Sequence, residues 1–159
     1  MGKKLVGIWV CLILTLVIRA PAEAQSNLLE FDKDKLSIHT SSGDTHDFDV
    51  ELAITGQQHA QGLMFRKRMA GDAGMLFIYP NLSERSMWMK NTLIPLDMLF
   101  MNGEGQILHI AERTVPGSLK VVSSRYPVRA VLELNGGTVA RLGLAVGDYV
   151  EHGAFAAKD

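Results

Sequence analysis

Two stretches alternate between apolar and polar positions. Residues 36–40 read Leu-Ser-Ile-His-Thr, and in residues 48–53 Phe48, Val50 and Leu52 point one way while Asp49 and Glu51 point the other. A period of two marks half-buried strands, and the turn residues Ser41-Ser42-Gly43-Asp44 between them predict a hairpin. The period then changes. Thr55 followed by Gln58 has the form of a capping box, and Ala60, Leu63 and Met64 share one side at helical spacing. This predicts a helix over 56–66 that ends in the basic group Arg66-Lys67-Arg68 and contains Gly62, whose place in a helix interior implies close approach of another backbone.

Continuous apolar runs follow. Residues 75–79 predict a strand stopped by Pro80-Asn81, and Asn102-Gly-Glu-Gly105 predicts a tight, central hairpin between 98–101 and 107–111. Residues 112–127 form the longest irregular stretch. Residues 128–134 alternate again around Arg129 and Glu133. Asn135-Gly-Gly137 then turns the chain into a short helix over 138–142, capped by Gly143, and a last strand covers 149–152. The expected fold class is mainly β, α+β at the margin: a closed or nearly closed structure of about seven strands with two short helices.

Residues 87–100 stand out. Ten of the fourteen are apolar, yet Lys90, Asn91, Thr92 and Asp97 interrupt the middle of the run, and Pro95 breaks any ladder there. The expectation is two strands, 85–90 and 96–102, joined by a bent segment that holds a lysine, an amide, a hydroxyl and a carboxylate against an apolar body.

Composition bounds the function. Lys3 and Lys4, the apolar run 5–18 and Ala22-Glu-Ala24 have the layout of a secretory signal cleaved after Ala24, so residues 1–24 are expected to be removed. The apolar run is shorter than the ~20 residues of a span, which leaves membrane attachment only to an uncleaved signal. Val10 before Cys11 does not fit a lipoprotein signal. The expected location is periplasmic or secreted. Residues 25–49 then form a lead-in and first strand, 50–153 a single β-rich domain, and 154–159 a tail. Loss of the leader removes the one cysteine, and with it thiolate chemistry, disulfides and thiolate metal sites. It leaves 13 basic and 16 acidic side chains, a balance with no electrostatic reason to bind nucleic acid or an anionic membrane.

Four blocks resemble the bacterial and archaeal family called domain of unknown function 192. They are residues 51–55 leading to Gly62-Leu-Met64, Gly74-Met-Leu-Phe77, Trp88-Met-Lys-Asn-Thr-Leu-Ile-Pro-Leu-Asp97, and Val131-Leu-Glu-Leu134 with Leu142-Gly143 and Gly147-Asp148. The resemblance covers about 50–152 and implies a compact, β-rich, often exported domain with no established activity. One departure is Gln58-His59, where the family commonly has Glu-Arg.

Three chemistries compete. A non-enzymatic module would bind a small ligand or an envelope protein at Trp88, Lys90, Asn91, Thr92 and Asp97, with the indole as platform and donors beside it. An enzyme would use Lys90 and Asp97, with Arg129 and Glu133 as further acid–base groups and Lys90 paired to Glu133 if their strands are neighbours. The chain carries no G-x-S-x-G or H-E-x-x-H, so no catalytic residue is assigned. A Cu(I) site would use Met87, Met89 and His109, because thioethers suit that ion and all seven methionines after the leader lie between 64 and 101. Core filling is the simpler use of those methionines. The binding module is favoured, with no resident cofactor.

Overall fold

The computed structural model describes Gly2 and residues 28–155, so the expected signal segment lies outside the described residues. The alternating stretches form the expected hairpin, β1 (Asp32–His39) and β2 (Thr45–Ala53), longer than their apolar signal because charged residues pair across the exposed half. Next come helix α1 (Gly56–Gln61) and β3 (Ala73–Ser83), and β3 lies parallel to β2. A parallel pair cannot be joined by a tight turn, which is why the helix-bearing crossover stands here. The chain continues through β4 (Ser86–Met87), β5 (Leu96–Met101), β6 (Ile107–Thr114), β7 (Val122–Ser123), β8 (Val128–Asn135), α2 (Thr138–Leu142), β9 (Tyr149–Glu151) and a 3-10 turn, Gly153–Phe155.

Seven strands form one sheet in the order β6-β5-β8-β3-β2-β1-β9, while β4 and β7 make a separate two-stranded ribbon. The sheet curls until its edges meet at one end. There Gln106 bridges Tyr149, the Val150 N–H donates to Gly105 O at 2.9 Å, and the Ile107 N–H donates to Asp148 O at 2.9 Å. The fold is thus mainly β with two short helices, and nearly closed.

Each face of the sheet has its own core. Leu36, Ile38, Phe48, Val50, Leu76, Leu99, Leu132 and Val150 fill the inside of the curl, where Phe155 joins them. Met75, Phe77, Met89, Leu96, Met98, Phe100 and Val131 pack on the outer face beneath the α1 crossover and the ribbon. Strands buried on both faces lose their alternation, which explains the continuous apolar runs in β3 and β5.

Several expectations are corrected. Helix α1 ends at Gln61, with Gly62 as its cap at φ +47°, so the Arg66 group lies beyond the helix and the close neighbour of Gly62 is the Phe77 ring. Strand β3 runs through Pro80, which is exposed beside an irregularity in the β3–β8 pairing, where the missing N–H costs no ladder bond. The β5–β6 hairpin lies toward one edge of the sheet, and its apolar character comes from double burial rather than central position. Within 85–90 only Ser86 and Met87 pair as strand, because the partner is the two-residue β7.

Candidate functional site

On the outer face, β3 projects Met75, Phe77 and Tyr79 on one side, and β8 places Glu133 directly across from Met75. Helix α1 and Gly62 wall one flank. The ribbon walls the other with the inner face of Met87 and Val122, while Trp88 stands half-exposed at the rim. Between them is a cleft of about 460 Å³, lined among others by His59, Tyr79, Arg85, Trp88, Thr92 and Glu133.

Most polar groups of the cleft are committed. Thr55 and Gln58 form the expected capping box, and the Gln58 side chain also accepts from Ile54 N at 3.0 Å. His59 Nε2 lies 2.9 Å from Ala53 O and 3.1 Å from Ile78 O, so an Nε2–H tautomer donates to both and ties the ends of β2 and β3. Gln58 thus supplies an acceptor and His59 a donor. The Tyr79 hydroxyl donates to Met87 Sδ at 3.5 Å, and burial pushes its pKa up to about 12, opposed by the Arg85 guanidinium and reinforced by Glu133.

Two groups are not committed. Glu133 is only 4% exposed, and its carboxyl makes no hydrogen bond or ion pair with any described residue; burial pushes its pKa up to about 8. Arg85 lies over the Tyr79 ring at 4.1 Å and donates from Nη2 to Asn81 O and Oδ1, both at 2.8 Å, yet its Nε is buried without an acceptor.

The structure divides the residues singled out in the sequence. Trp88 and Thr92 line the cleft. Lys90 is exposed with its ammonium 5.4 Å over the Trp88 ring, and Asn91, at φ +56°, accepts from Phe65 N and donates to Met64 Sδ. Asp97 is fully buried elsewhere. Its Oδ1 accepts from Arg113 N at 2.7 Å, and its Oδ2 accepts from Gly137 N at 2.9 Å and Val139 N at 2.8 Å. Lys90 and Asp97 therefore do not meet, and because β4 pairs with β7 and not with β8, Lys90 does not pair with Glu133 either. Of the sulfur candidates, Met87 takes the Tyr79 hydroxyl, Met89 Sδ lies 3.1 Å from the Thr114 hydroxyl, which donates to Leu96 O at 2.8 Å, and His109 stacks on Phe100 at 5.5 Å. Each of the three is directed at a different neighbour.

Sequence reasoning missed Tyr79 and Arg85, and it weighed Glu133 as an acid–base group and a partner for Lys90, not as part of the binding site. A larger groove, about 740 Å³, runs along β1, β2 and β9, and most of its polar side chains are paired: Lys35 with Asp49 at 2.7 Å, Ser37 with Asp47 at 2.6 Å and Glu151 with His39 at 2.8 Å.

The model of the DUF192 family, described as Uncharacterized ACR, matches residues 37–152, so the chain belongs to that family. A crystal structure of a "putative transcription regulator" from Sinorhizobium meliloti 1021 is 48% identical, with a TM-score of 0.78 over 80% of this chain and 98% of that one. A protein of unknown function from Novosphingobium aromaticivorans DSM 12444 is 36% identical, with a TM-score of 0.75 over 85% of this chain and 94% of that one. No curated protein matches the chain.

Proposed function

We propose that this member of the DUF192 family is an exported, non-enzymatic module that holds a small polar molecule in the cleft over Glu133. The carrying observation is the buried carboxyl itself. The residue is 4% exposed, its carboxyl has no partner among the described residues, and it lines the cleft instead of being sealed in the core. A ligand that bonds Glu133 supplies the partner that the described residues do not. Trp88 supplies an apolar surface at the rim, and Thr92 and Arg85 supply donors. Export is supported by the basic, apolar and small-residue leader at 1–24.

The regulator name of the Sinorhizobium relative finds little support as DNA reading in this chain. The formal net charge is −1, and the longest helix among the described residues has six residues, short for a recognition helix in a major groove.

Native mass spectrometry of the protein isolated from its own compartment tests the reading. The expected species begins at Gln25 and carries an adduct that denaturation removes. Trp88→Ala and Glu133→Gln are expected to lose most of that adduct. An adduct that survives both substitutions would place the ligand elsewhere, and an unmodified N-terminus at Met1 would remove signal cleavage.

A further inference from the structure

We propose that the cleft takes a zwitterion of the amino-acid class, with its ammonium on Glu133, its carboxylate on Arg85, and an apolar side chain against Trp88 and Met87. The inference rests on the cleft being the binding site and adds the chemistry of the occupant.

The charges that face the cleft decide it. His59 Nε2 is spent on two carbonyls and the Tyr79 hydroxyl on a sulfur, while Glu84 is exposed at the rim. What remains is one acid, Glu133, and one cation, Arg85, of opposite formal charge, and both residues line the same cleft. A simple cation would gain Glu133 but meet the guanidinium. A simple anion would gain the guanidinium but leave Glu133 in its neutral, protonated form, without an ion pair. A ligand with both charges gives each group an ion pair, and a guanidinium fork suits a carboxylate. The walls between, Phe77, Met64 and Met87, are apolar and fit an aliphatic side chain.

The proposal includes a proton balance. In the empty cleft near neutral pH, Glu133 holds its proton because burial disfavours the carboxylate. An ammonium brought against it favours the ionised form. Binding therefore releases to the buffer the proton that leaves the Glu133 carboxyl, and the ligand keeps its own.

Three molecules of nearly one shape separate the possibilities: L-leucine, isopentylamine, which lacks the carboxylate, and 4-methylpentanoate, which lacks the ammonium. Calorimetric titration of the mature protein at pH 7, in two buffers of different ionisation enthalpy, reads both affinity and proton release. Leucine is expected to bind about tenfold or more tighter than either analogue, with release of about one proton per ligand. Glu133→Gln should lower leucine to the level of 4-methylpentanoate and abolish the proton release. Arg85→Gln should lower it to the level of isopentylamine and leave the release intact. Cooperative melting of both variants confirms that they fold. An analogue that equals leucine, leucine binding without proton release, or no binding by any of the three would each overturn the zwitterion. If the native adduct is still lost in Glu133→Gln, the cleft stands and only the ligand class falls. If the adduct is indifferent to Glu133, both readings fall.

Discussion

Glu133 shows how one residue can be plain in sequence and unusual in place. It occupies a polar position in an alternating strand, which reads as a solvated outer face. The α1 crossover and the ribbon cover that face, so the position is buried and the alternation misleads. The consequence is a pH dependence of known sign. Below about pH 4.5 the carboxyl is protonated in both folded and unfolded chains and carries no penalty. Between about 4.5 and about 8 the unfolded chain ionises while the folded chain keeps the proton, so stability falls as pH rises; above about 8 the loss is complete. The full fall is about 3–5 kcal/mol. Urea unfolding of the protein and of Glu133→Gln at pH 5, 7 and 9 isolates it: the variant is expected to gain on the parent steadily across that window. A constant difference between the two would mean that the carboxyl is solvated.

At the scale of elements, Asp97 joins three that are distant in sequence. Helix α2 begins at a Gly137 cap that has no side chain to receive its first N–H groups, and the Asp97 carboxylate, from β5, receives those of Gly137 and Val139 while also holding the bent end of β6 at Arg113. Asp97→Ala leaves three backbone donors unmet, that of Val139 buried, and is expected to cost about 3–5 kcal/mol, measured by urea unfolding. Its effect on the cleft should be secondary to that loss, so equal binding per folded molecule is the expected companion result. The polar interruption of residues 87–100 thus marked two separate devices, a cleft rim at Trp88 and Thr92 and a clasp at Asp97. Sequence could detect the interruption but not divide it, because the division depends on which side of the sheet end each residue faces. Elements whose signals are local were legible: the β1–β2 hairpin, the capping box of α1 and the strands buried on both faces. The end of α1 was not, because a left-handed Gly62 packed on the Phe77 ring stops it, and that contact is 15 residues away in the chain. The ribbon was overextended because outward Ser86, Trp88 and Lys90 do alternate with inward Arg85, Met87 and Met89, although only two residues find strand partners.

The whole molecule depends on the place where the curled sheet meets itself. Strand β9 pairs with β1 along three residues and touches the start of β6 through a single bridge, so the inner core is closed on that side by few backbone bonds. Gly105 makes the contact possible. Its φ is +90°, and a Cβ there would lie 2.3 Å from Val150 O and 3.1 Å from the Phe155 ring. No other residue type fits without moving β9. Gly105→Ala is therefore expected to destabilise the fold by about 2–4 kcal/mol, from backbone strain and overpacking together. The loss should also be localised. Val150 and Ile107 donate across the seam, so their amide hydrogens should exchange much faster relative to those of β8, deep in the sheet. Uniform acceleration of all amides would instead show that the seam opens only with global unfolding. The cleft over Glu133 is built from β3, β8, α1 and the ribbon, none of which forms the seam, so the same variant should keep its affinity for any cleft ligand. A fold that closes at one edge and carries its cleft on the outer face can loosen the first without spoiling the second.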